Sequence, residues 1–185
     1  DENAQRVRQM GEETWRVHTV GGPWVDNINY LEKINSEELK KKLNVTFSRP
    51  IILVTYHSTT LQLKDTNDFI SNLLGALKQI EADIIFTYPN ADAGGRIIID
   101  AIESFVKNHS NARLFKSMGG RLYLNTLSQI DLLVGNSSSG MVETQAFKLP
   151  VVNIGDRQKG RMITKNIICS PEKEDDILKA VEKGL

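Results

Sequence analysis

From residue 50 onward, short apolar runs alternate with amphipathic helical patterns, and this alternation restricts the chain to few folds. The first run, 51–56, reads Ile-Ile-Leu-Val-Thr-Tyr, which is typical of a strand buried on both faces. The pattern predicts strands at 51–56, 83–88, 112–116, 131–135, 150–154 and 167–169, and helices at 68–79, 95–108, 122–129, 140–147 and 175–183. Because strands alternate with helices, we expect an α/β fold, a Rossmann-like parallel sheet with helices on both faces.

The first 48 residues lack this regular alternation. The sequence there predicts a helix at 3–10, a short strand at 16–20, a short helix capped by Asp26 and a second helix that opens at Ser36. Because the chain begins at Asp1 rather than at Met, we expect it to be part of a longer protein. We interpret residues 1–48 as the tail of an N-terminal domain with an interdomain linker, and 49–185 as a C-terminal domain.

The composition argues against several classes of protein. The 185 residues include 23 Lys and Arg and 23 Asp and Glu, so the basic excess usual in duplex-DNA-binding proteins is missing. No apolar run approaches the roughly 20 residues needed to span a bilayer, and no signal peptide is recognisable. The single cysteine, Cys169, cannot form an intrachain disulfide, which fits a reducing, cytoplasmic setting. We therefore expect neither nucleic acid nor membrane among the partners of this protein.

Small and polar residues follow each of the first five predicted strands, and the opposite strand ends lack this enrichment. In open parallel sheets, ligands bind beyond the carboxyl ends of the strands. The five loops are 57–60 (His-Ser-Thr-Thr), 89–95 (Pro-Asn-Ala-Asp-Ala-Gly-Gly), 117–120 (Ser-Met-Gly-Gly), 136–140 (Asn-Ser-Ser-Ser-Gly) and 155–161 (Gly-Asp-Arg-Gln-Lys-Gly-Arg). This asymmetry predicts a polar, anionic ligand at that edge of the sheet.

The loop at 135–140 carries the strongest indication of phosphate binding. It precedes a predicted helix, whose N-terminus offers free N–H groups and a partial positive charge. Small residues let a phosphate approach the backbone, and serine hydroxyls add donors. A serine cap on an ordinary helix would give the same six residues, and the flanking loops favour phosphate. The loop is not a P-loop, because no Gly-Lys-Ser/Thr follows, and it is not a Gly-x-Gly-x-x-Gly loop.

Three charged or titratable residues narrow the ligand further. Glu143 lies in the first turn of the predicted helix, where it could accept hydrogen bonds from ribose hydroxyls or be a solvated acid at a helix end. Arg157 lies in a basic loop and could pair with phosphate oxygens, although such clusters are more often solvated surface. His57 ends a buried strand and could donate to a phosphate or act as an acid or base, although a lone histidine is usually structural.

The local pattern gives less information on four other residues. Asn90 could contact a ligand or only form a turn. Tyr123 could stack on a base or belong to the core. His18 and His109 have no comparable context, and we interpret both as structural or exposed.

Taken together, the loops resemble those of UDP-N-acetylglucosamine 2-epimerases, and more closely the hydrolysing branch that feeds sialic acid synthesis. The resemblance covers essentially the whole chain. Its motifs are 135–143 (Gly-Asn-Ser-Ser-Ser-Gly-Met-Val-Glu), 150–161 (Pro-Val-Val-Asn-Ile-Gly-Asp-Arg-Gln-Lys-Gly-Arg), 57–60, 88–94 (Tyr-Pro-Asn-Ala-Asp-Ala-Gly) and 20–27 (Val-Gly-Gly-Pro-Trp-Val-Asp-Asn). The non-hydrolysing branch instead tends to show Asp-Ser-Gly-Gly at 136–139.

The family resemblance implies a two-domain glycosyltransferase-B-type architecture, of which this chain is the C-terminal domain. It implies elimination of UDP to a glycal and addition of water, which yields N-acetylmannosamine without a metal or other cofactor. It also implies that the full protein is a homo-oligomer that binds a UDP-sugar. By resemblance, Ser137, Ser138 and the Gly140 backbone hold the diphosphate, and Arg157 also supports the nucleotide. Glu143 binds the ribose, and Met118 and Tyr123 bind the uracil. His57, which is the catalytic candidate, and Asn90 face the diphosphate and the sugar.

Two alternatives to an epimerase remain at this point. A nucleotide-sugar glycosyltransferase of the same architecture would share the ribose-binding glutamate but need an acceptor. A non-catalytic nucleotide-sugar-binding module would need neither. Because the family's catalytic carboxylates lie mostly on the N-terminal domain, we expect the isolated chain to bind UDP weakly and to turn over little or nothing.

Overall fold

The computed structural model describes residues 2–185, apart from the side chain of Leu61, and divides into two compact units. One unit extends to Tyr30, and the other is Leu31–Leu185. The first unit contains helix α1 (Glu2–Gln9), a 3-10 turn at Thr14–Arg16 and helix α2 (Pro23–Asn29). The assignment of residues 1–48 to the tail of a separate domain stays a prediction.

Two predictions within the first unit are wrong. Residues 17–20 form no regular structure, so the strand predicted at 16–20 is not present. A strand needs a hydrogen-bonded neighbour, and a short apolar run does not provide one. The helix predicted to be capped by Asp26 begins earlier, at Pro23, after the N-cap Gly22. Proline fixes φ at a helical value and is therefore favoured at the first helical position.

The second unit opens with helix α3 (Ser36–Leu43), which confirms the helix predicted at Ser36. Its N-cap is Asn35, whose side chain accepts a hydrogen bond from the Glu38 N–H at 2.9 Å. Leu39 and Leu43 are fully buried against one face of the sheet. This helix therefore covers part of the domain core.

A six-stranded parallel sheet, in the order β3-β2-β1-β4-β5-β6, forms the centre of this unit. The strands are β1 (Ile51–Thr55), β2 (Asp83–Thr87), β3 (Ala112–Phe115), β4 (Leu132–Gly135), β5 (Val151–Ile154) and β6 (Ile167–Ser170). The remaining helices are α4 (Thr66–Lys78), α5 (Gly95–Asn108), α6 (Gly119–Leu127), α7 (Thr144–Phe147) and α8 (Glu174–Gly184). This is the Rossmann strand order, and the predicted α/β class is confirmed.

Two hydrophobic clusters cover the two faces of the sheet. Ile52 and Val54 of β1 pack with residues of α4, α5 and α8 on one face. Ile51 and Leu53, the alternate residues of the same strand, pack with residues of α3 and α6 on the other face. A strand buried on both sides needs an unbroken apolar run, and this is the physical basis of the pattern at 51–54.

The helix predicted at 140–147 is divided in the structure. Ser138–Met141 forms a 3-10 turn, and α7 (Thr144–Phe147) has only four residues. The hydroxyl of Thr144 donates to the carbonyl oxygen of Gly140 at 2.8 Å, where a continuous helix would place the Thr144 N–H. The helix dipole that favoured a phosphate in the sequence is therefore short and weak here.

No helix among residues 2–185 is both long enough and apolar enough to cross a membrane. The longest, α5, has 14 residues.

Candidate functional site

The parallel sheet brings the predicted loops to one edge. All five strand pairs are parallel, so the carboxyl ends of the six strands share that edge. The strand order reverses between β1 and β4, and crevices at such switch points are where ligands bind in open α/β sheets. The loops that begin at His57 and at Asn136 follow these two central strands.

His57 is 6% exposed and lies just beyond β1. The backbone N–H of Asn90 donates to its Nδ1 at 3.0 Å. Burial, together with the smaller effect of the Arg157 charge, lowers the pKa of His57 to about 4, and the carboxylate of Asp92 opposes this shift. At neutral pH the ring is therefore neutral, and because Nδ1 is an acceptor its proton lies on Nε2.

Asn136, which is 1% exposed, joins three of the loops. Its Oδ1 accepts from the His57 N–H and its Nδ2 donates to the His57 carbonyl, both at 2.8 Å. Its own carbonyl oxygen accepts from Arg157 Nη1 at 3.1 Å and from Gln158 Nε2 at 2.8 Å. The structure thus brings the predicted residues His57, Asn90 and Arg157 together around one asparagine.

The serine loop is tied mainly to itself. The Ser137 Oγ accepts from the Ser139 N–H at 3.3 Å, and the Gly140 N–H donates to the Ser137 carbonyl at 3.2 Å. Ser138 is exposed, whereas Ser137 is half-buried. A Cβ on Gly140 would come within 2.9 Å of Val151 Cγ1, so this glycine also permits close packing on the sheet. Of these residues, Ser138 is the one whose side chain faces solvent.

Tyr123 is half-buried and packs against the hydrophobic cluster on the face of the sheet covered by α3 and α6. Its hydroxyl donates to Ser139 Oγ at 2.8 Å. Burial raises the pKa of Tyr123, the hydrogen bond with Ser139 opposes this rise, and the charge of the half-buried Glu143 adds to it. Met118 is half-buried against the same cluster. Tyr123 and Glu143 therefore lie beside the serine loop, and the polar end of Tyr123 is directed at that loop.

Asn136 and Gln158 were not singled out in the sequence, although both belong to the quoted loops. Gln158 is 3% exposed, and its donor end is used on Asn136. The available signal was an asparagine immediately after a buried strand at the predicted ligand edge. An amide there can satisfy backbone groups of the neighbouring strand end, which a local pattern does not reveal.

The other candidate residues have ordinary surroundings. His18 is exposed, and His109 stacks on Phe105 with ring centroids 3.9 Å apart. The interpretation of these two histidines as structural or exposed is therefore confirmed. Lys159 pairs with Asp156 at 3.4 Å. Within residues 2–185, no group of three or more His, Cys, Asp or Glu side chains could hold a metal ion.

A cavity of about 520 Å³ lies next to the residues that surround Asn136, beyond the ends of β5 and β6. Its lining includes Gln62, Asn153, Gln158, Arg161 and Glu172. None of the nucleotide-binding candidates predicted from the sequence is among the described residues that line it. Gln158 is the residue that joins the cavity to Asn136.

Several solved structures share this fold. The structure of the Methanocaldococcus jannaschii UDP-GlcNAc 2-epimerase in complex with UDP-GlcNAc and UDP matches 98% of this chain and 51% of that chain, with a TM-score of 0.72 and 17% identity. At this identity the likeness establishes the fold alone. The fold is thus the Rossmann-like α/β domain of the glycosyltransferase-B type.

The sequence itself gives the family. The model of the UDP-N-acetylglucosamine 2-epimerase family matches residues 1–185, so the chain belongs to that family, and the resemblance stated above is confirmed. The chain is 39% identical over 181 residues to the GDP/UDP-N,N'-diacetylbacillosamine 2-epimerase (hydrolyzing) of Campylobacter jejuni. This match covers 97% of the chain and 47% of that protein. The chain is 33% identical over 183 residues to a polysialic acid biosynthesis protein of Escherichia coli, covering 98% and 46%. The chain spans about half the length of these relatives.

Proposed function

We propose that the protein to which this chain belongs is a hydrolysing UDP-N-acetylglucosamine 2-epimerase, which releases UDP and N-acetylmannosamine. The observation that carries the proposal is the 39% identity, over 97% of the chain, to the hydrolysing enzyme of Campylobacter jejuni. That relative is named for a diacetylated bacillosamine, so the proposed substrate class is the UDP-linked 2-acetamido sugars.

In this proposal the chain binds the UDP part of the substrate at the edge where β1 and β4 end. Ser138 is exposed and offers its hydroxyl to the diphosphate. The N–H of Gly140 already donates to the Ser137 carbonyl, so this glycine contributes to the site through its small size and not as a donor. Glu143 takes the ribose hydroxyls. The further contacts are Ser137 and Arg157 for the diphosphate, Met118 and Tyr123 for the uracil, and Asn90 for the sugar side.

His57 is proposed to act as a neutral hydrogen-bond donor to the leaving diphosphate. Its Nδ1 is occupied by the Asn90 N–H, which leaves Nε2–H as the group available to a ligand. With a pKa of about 4 it carries no positive charge at neutral pH, and an Nε2 that already holds a proton cannot accept one. The neutral ring and the occupied Nδ1 favour the donor role over the general-base role for His57.

The chemistry that follows is an elimination and then an addition. A base removes the proton from C2 of the sugar, the C1–O bond breaks on the opposite face, and its electron pair leaves with UDP. The resulting C1=C2 glycal then adds water, which gives the free 2-epimeric sugar. Within this chain, the Nε2–H of His57 stabilises the charge that develops on the leaving diphosphate, whereas the carboxylates that work at C2 belong, by family resemblance, to the remainder of the protein.

The proposal includes a cytoplasmic location and a homo-oligomer for the full protein. The free thiol of Cys169 is exposed, and an exposed unpaired thiol suits a reducing compartment. Family membership, rather than any contact within this chain, is the ground for the oligomer.

Two experiments test the proposal. A product assay on the full-length protein with UDP-GlcNAc and with the UDP-diacetylbacillosamine substrate should give UDP and a free 2-epimeric sugar. A new glycosidic bond would instead identify a glycosyltransferase. For the isolated chain, calorimetric titration should show weak binding that favours UDP over UMP. Ser138→Ala should remove that preference, whereas Ser71→Ala, an exposed serine on α4, should retain it. Equal binding of UMP and UDP by the unaltered chain would contradict the loop assignment.

A further inference from the structure

Asn136 uses its whole side chain on one neighbouring residue. Its amide oxygen and amide nitrogen hold the N–H and the carbonyl of His57, each at 2.8 Å. The partners fix the orientation of the amide, because the only donor facing it is an N–H and the only acceptor is a carbonyl. This pair of bonds continues the β1–β4 pairing one step beyond the Thr55–Gly135 register.

The backbone of Asn136 is equally occupied. Its N–H donates to the Thr55 carbonyl at 3.2 Å. Its carbonyl accepts from Gln158 at 2.8 Å and from Arg157 at 3.1 Å. One residue therefore bonds both the backbone of His57, which follows β1, and the guanidinium of Arg157, which follows β5.

We propose that Asn136 is a positioning residue that fixes His57 and Arg157 as one unit, with Gln158 also donating to its carbonyl. The inference rests on the proposed function, in which both side chains serve the diphosphate. Asn136 itself touches neither substrate nor reacting atoms in this assignment. It acts by keeping His57 Nδ1 opposite the Asn90 N–H, which keeps the proton on Nε2.

A second buried asparagine provides the matched control. Asn125 is also 1% exposed, and it also bridges backbone groups: it accepts from the Ile34 N–H at 2.7 Å and donates to the Glu32 carbonyl at 3.1 Å. It lies on α6 and joins none of the site residues. Replacing either asparagine with leucine removes a buried amide of similar size without adding charge, so both variants should unfold at lower temperature.

The test compares Asn136→Leu with Asn125→Leu in UDP titrations and in ¹⁵N NMR of the histidine rings. Asn136→Leu should weaken UDP binding about tenfold or more, and Asn125→Leu less than about twofold, since only the former disturbs two ligand groups. In Asn136→Leu the His57 ring should also lose its single Nε2–H tautomer, and its pKa should move from about 4 toward 6.5. If Asn136→Leu does not fold, Gln158→Met, which loses one donor to the Asn136 carbonyl, should weaken UDP binding by roughly two- to fivefold.

The proposal is overturned if the two leucine variants bind UDP equally well. Unchanged His57 ring signals in Asn136→Leu would also overturn it. If that variant does not fold, UDP binding that is unchanged in Gln158→Met overturns it instead. Absence of UDP binding by the unaltered chain would overturn the proposed function. In that case the His57 ring signals would still decide whether Asn136 positions the imidazole.

Discussion

Gly135 lies so close to Thr55 that a Cβ on the glycine would come within 2.0 Å of the Thr55 carbonyl oxygen. The two residues are register partners at the carboxyl ends of β4 and β1, where the strand order reverses. Gly135 also has a φ of +138°, which side chains with a Cβ rarely adopt. The entry of the chain into the serine loop therefore requires glycine at this position.

Gly135→Ala should lower the free energy of unfolding by at least about 2 kcal/mol, because backbone strain and steric overlap add. Urea unfolding measures this change. Gly160→Ala is the matched control: Gly160 has a φ of +87° but no atom within 4 Å of the added Cβ. Gly160→Ala should lower the free energy of unfolding by roughly 1 kcal/mol, from backbone strain alone. Equal losses in the two variants would show that contact with Thr55 is unimportant.

The neutral state of His57 predicts how stability depends on pH. Its pKa falls from 6.5 to about 4 in the folded protein, so between these values the unfolded chain binds more protons than the folded one. The contribution is thus fully present above pH 6.5 and is lost as the pH falls toward 4. Unfolding measured at several pH values should show this loss, and His57→Gln should reduce it. The exposed His18→Gln should leave it intact, and a pH dependence unaltered by His57→Gln would contradict the prediction.

The position of the donor on His57 predicts a difference between two amide substitutions. A glutamine amide reaches approximately the place of Nε2, whereas an asparagine amide reaches only that of Nδ1. His57→Gln should therefore bind UDP within about threefold of the unaltered chain, and His57→Asn about tenfold more weakly or worse. Calorimetry with UDP measures both. A stronger loss in the glutamine variant would place the required group at Nδ1.

Tyr123 separates a structural role from a binding role. Its hydroxyl bonds Ser139 at 2.8 Å, so Tyr123→Phe should cost about 1 kcal/mol of stability while keeping the ring for the uracil. Tyr123→Ala should lose several-fold more UDP affinity than Tyr123→Phe, because it removes the ring. Thermal unfolding and UDP titration distinguish the two effects. UDP binding that is equal in the two variants would assign Tyr123 to the core alone.

Much of the fold could be predicted because the determinants are local. The helix predicted at 95–108 has the observed bounds, and the strand predicted at 51–56 ends one residue early, at Thr55. Apolar residues at helical spacing need only one covered face, which the sequence displays directly. The prediction was wrong for 140–147 because the backbone leaves helical geometry at Val142, where φ is −116° and ψ is −70°. Such a change of backbone angle is not visible in periodicity.

The site could be predicted as a set of loops but not as a connected arrangement. His57, Asn90 and Arg157 were candidates from their positions after strands, and the structure joins them through hydrogen bonds. Asn136 was overlooked because its bonds to His57 connect residues 79 positions apart. The contribution of each loop to nucleotide binding stays a prediction.

By itself the sequence determined the strands and most of the helices of the sheet domain, the edge where polar residues gather and the family of the protein. Burial of apolar side chains depends on spacing along the chain, so these properties can be read without a structure. Only the tertiary structure decided the pairing of β1 with β4 and the clamp of Asn136 on His57. It likewise decided the neutral state of that imidazole. These depend on burial and on contacts between distant segments, which exist only once the sheet has formed.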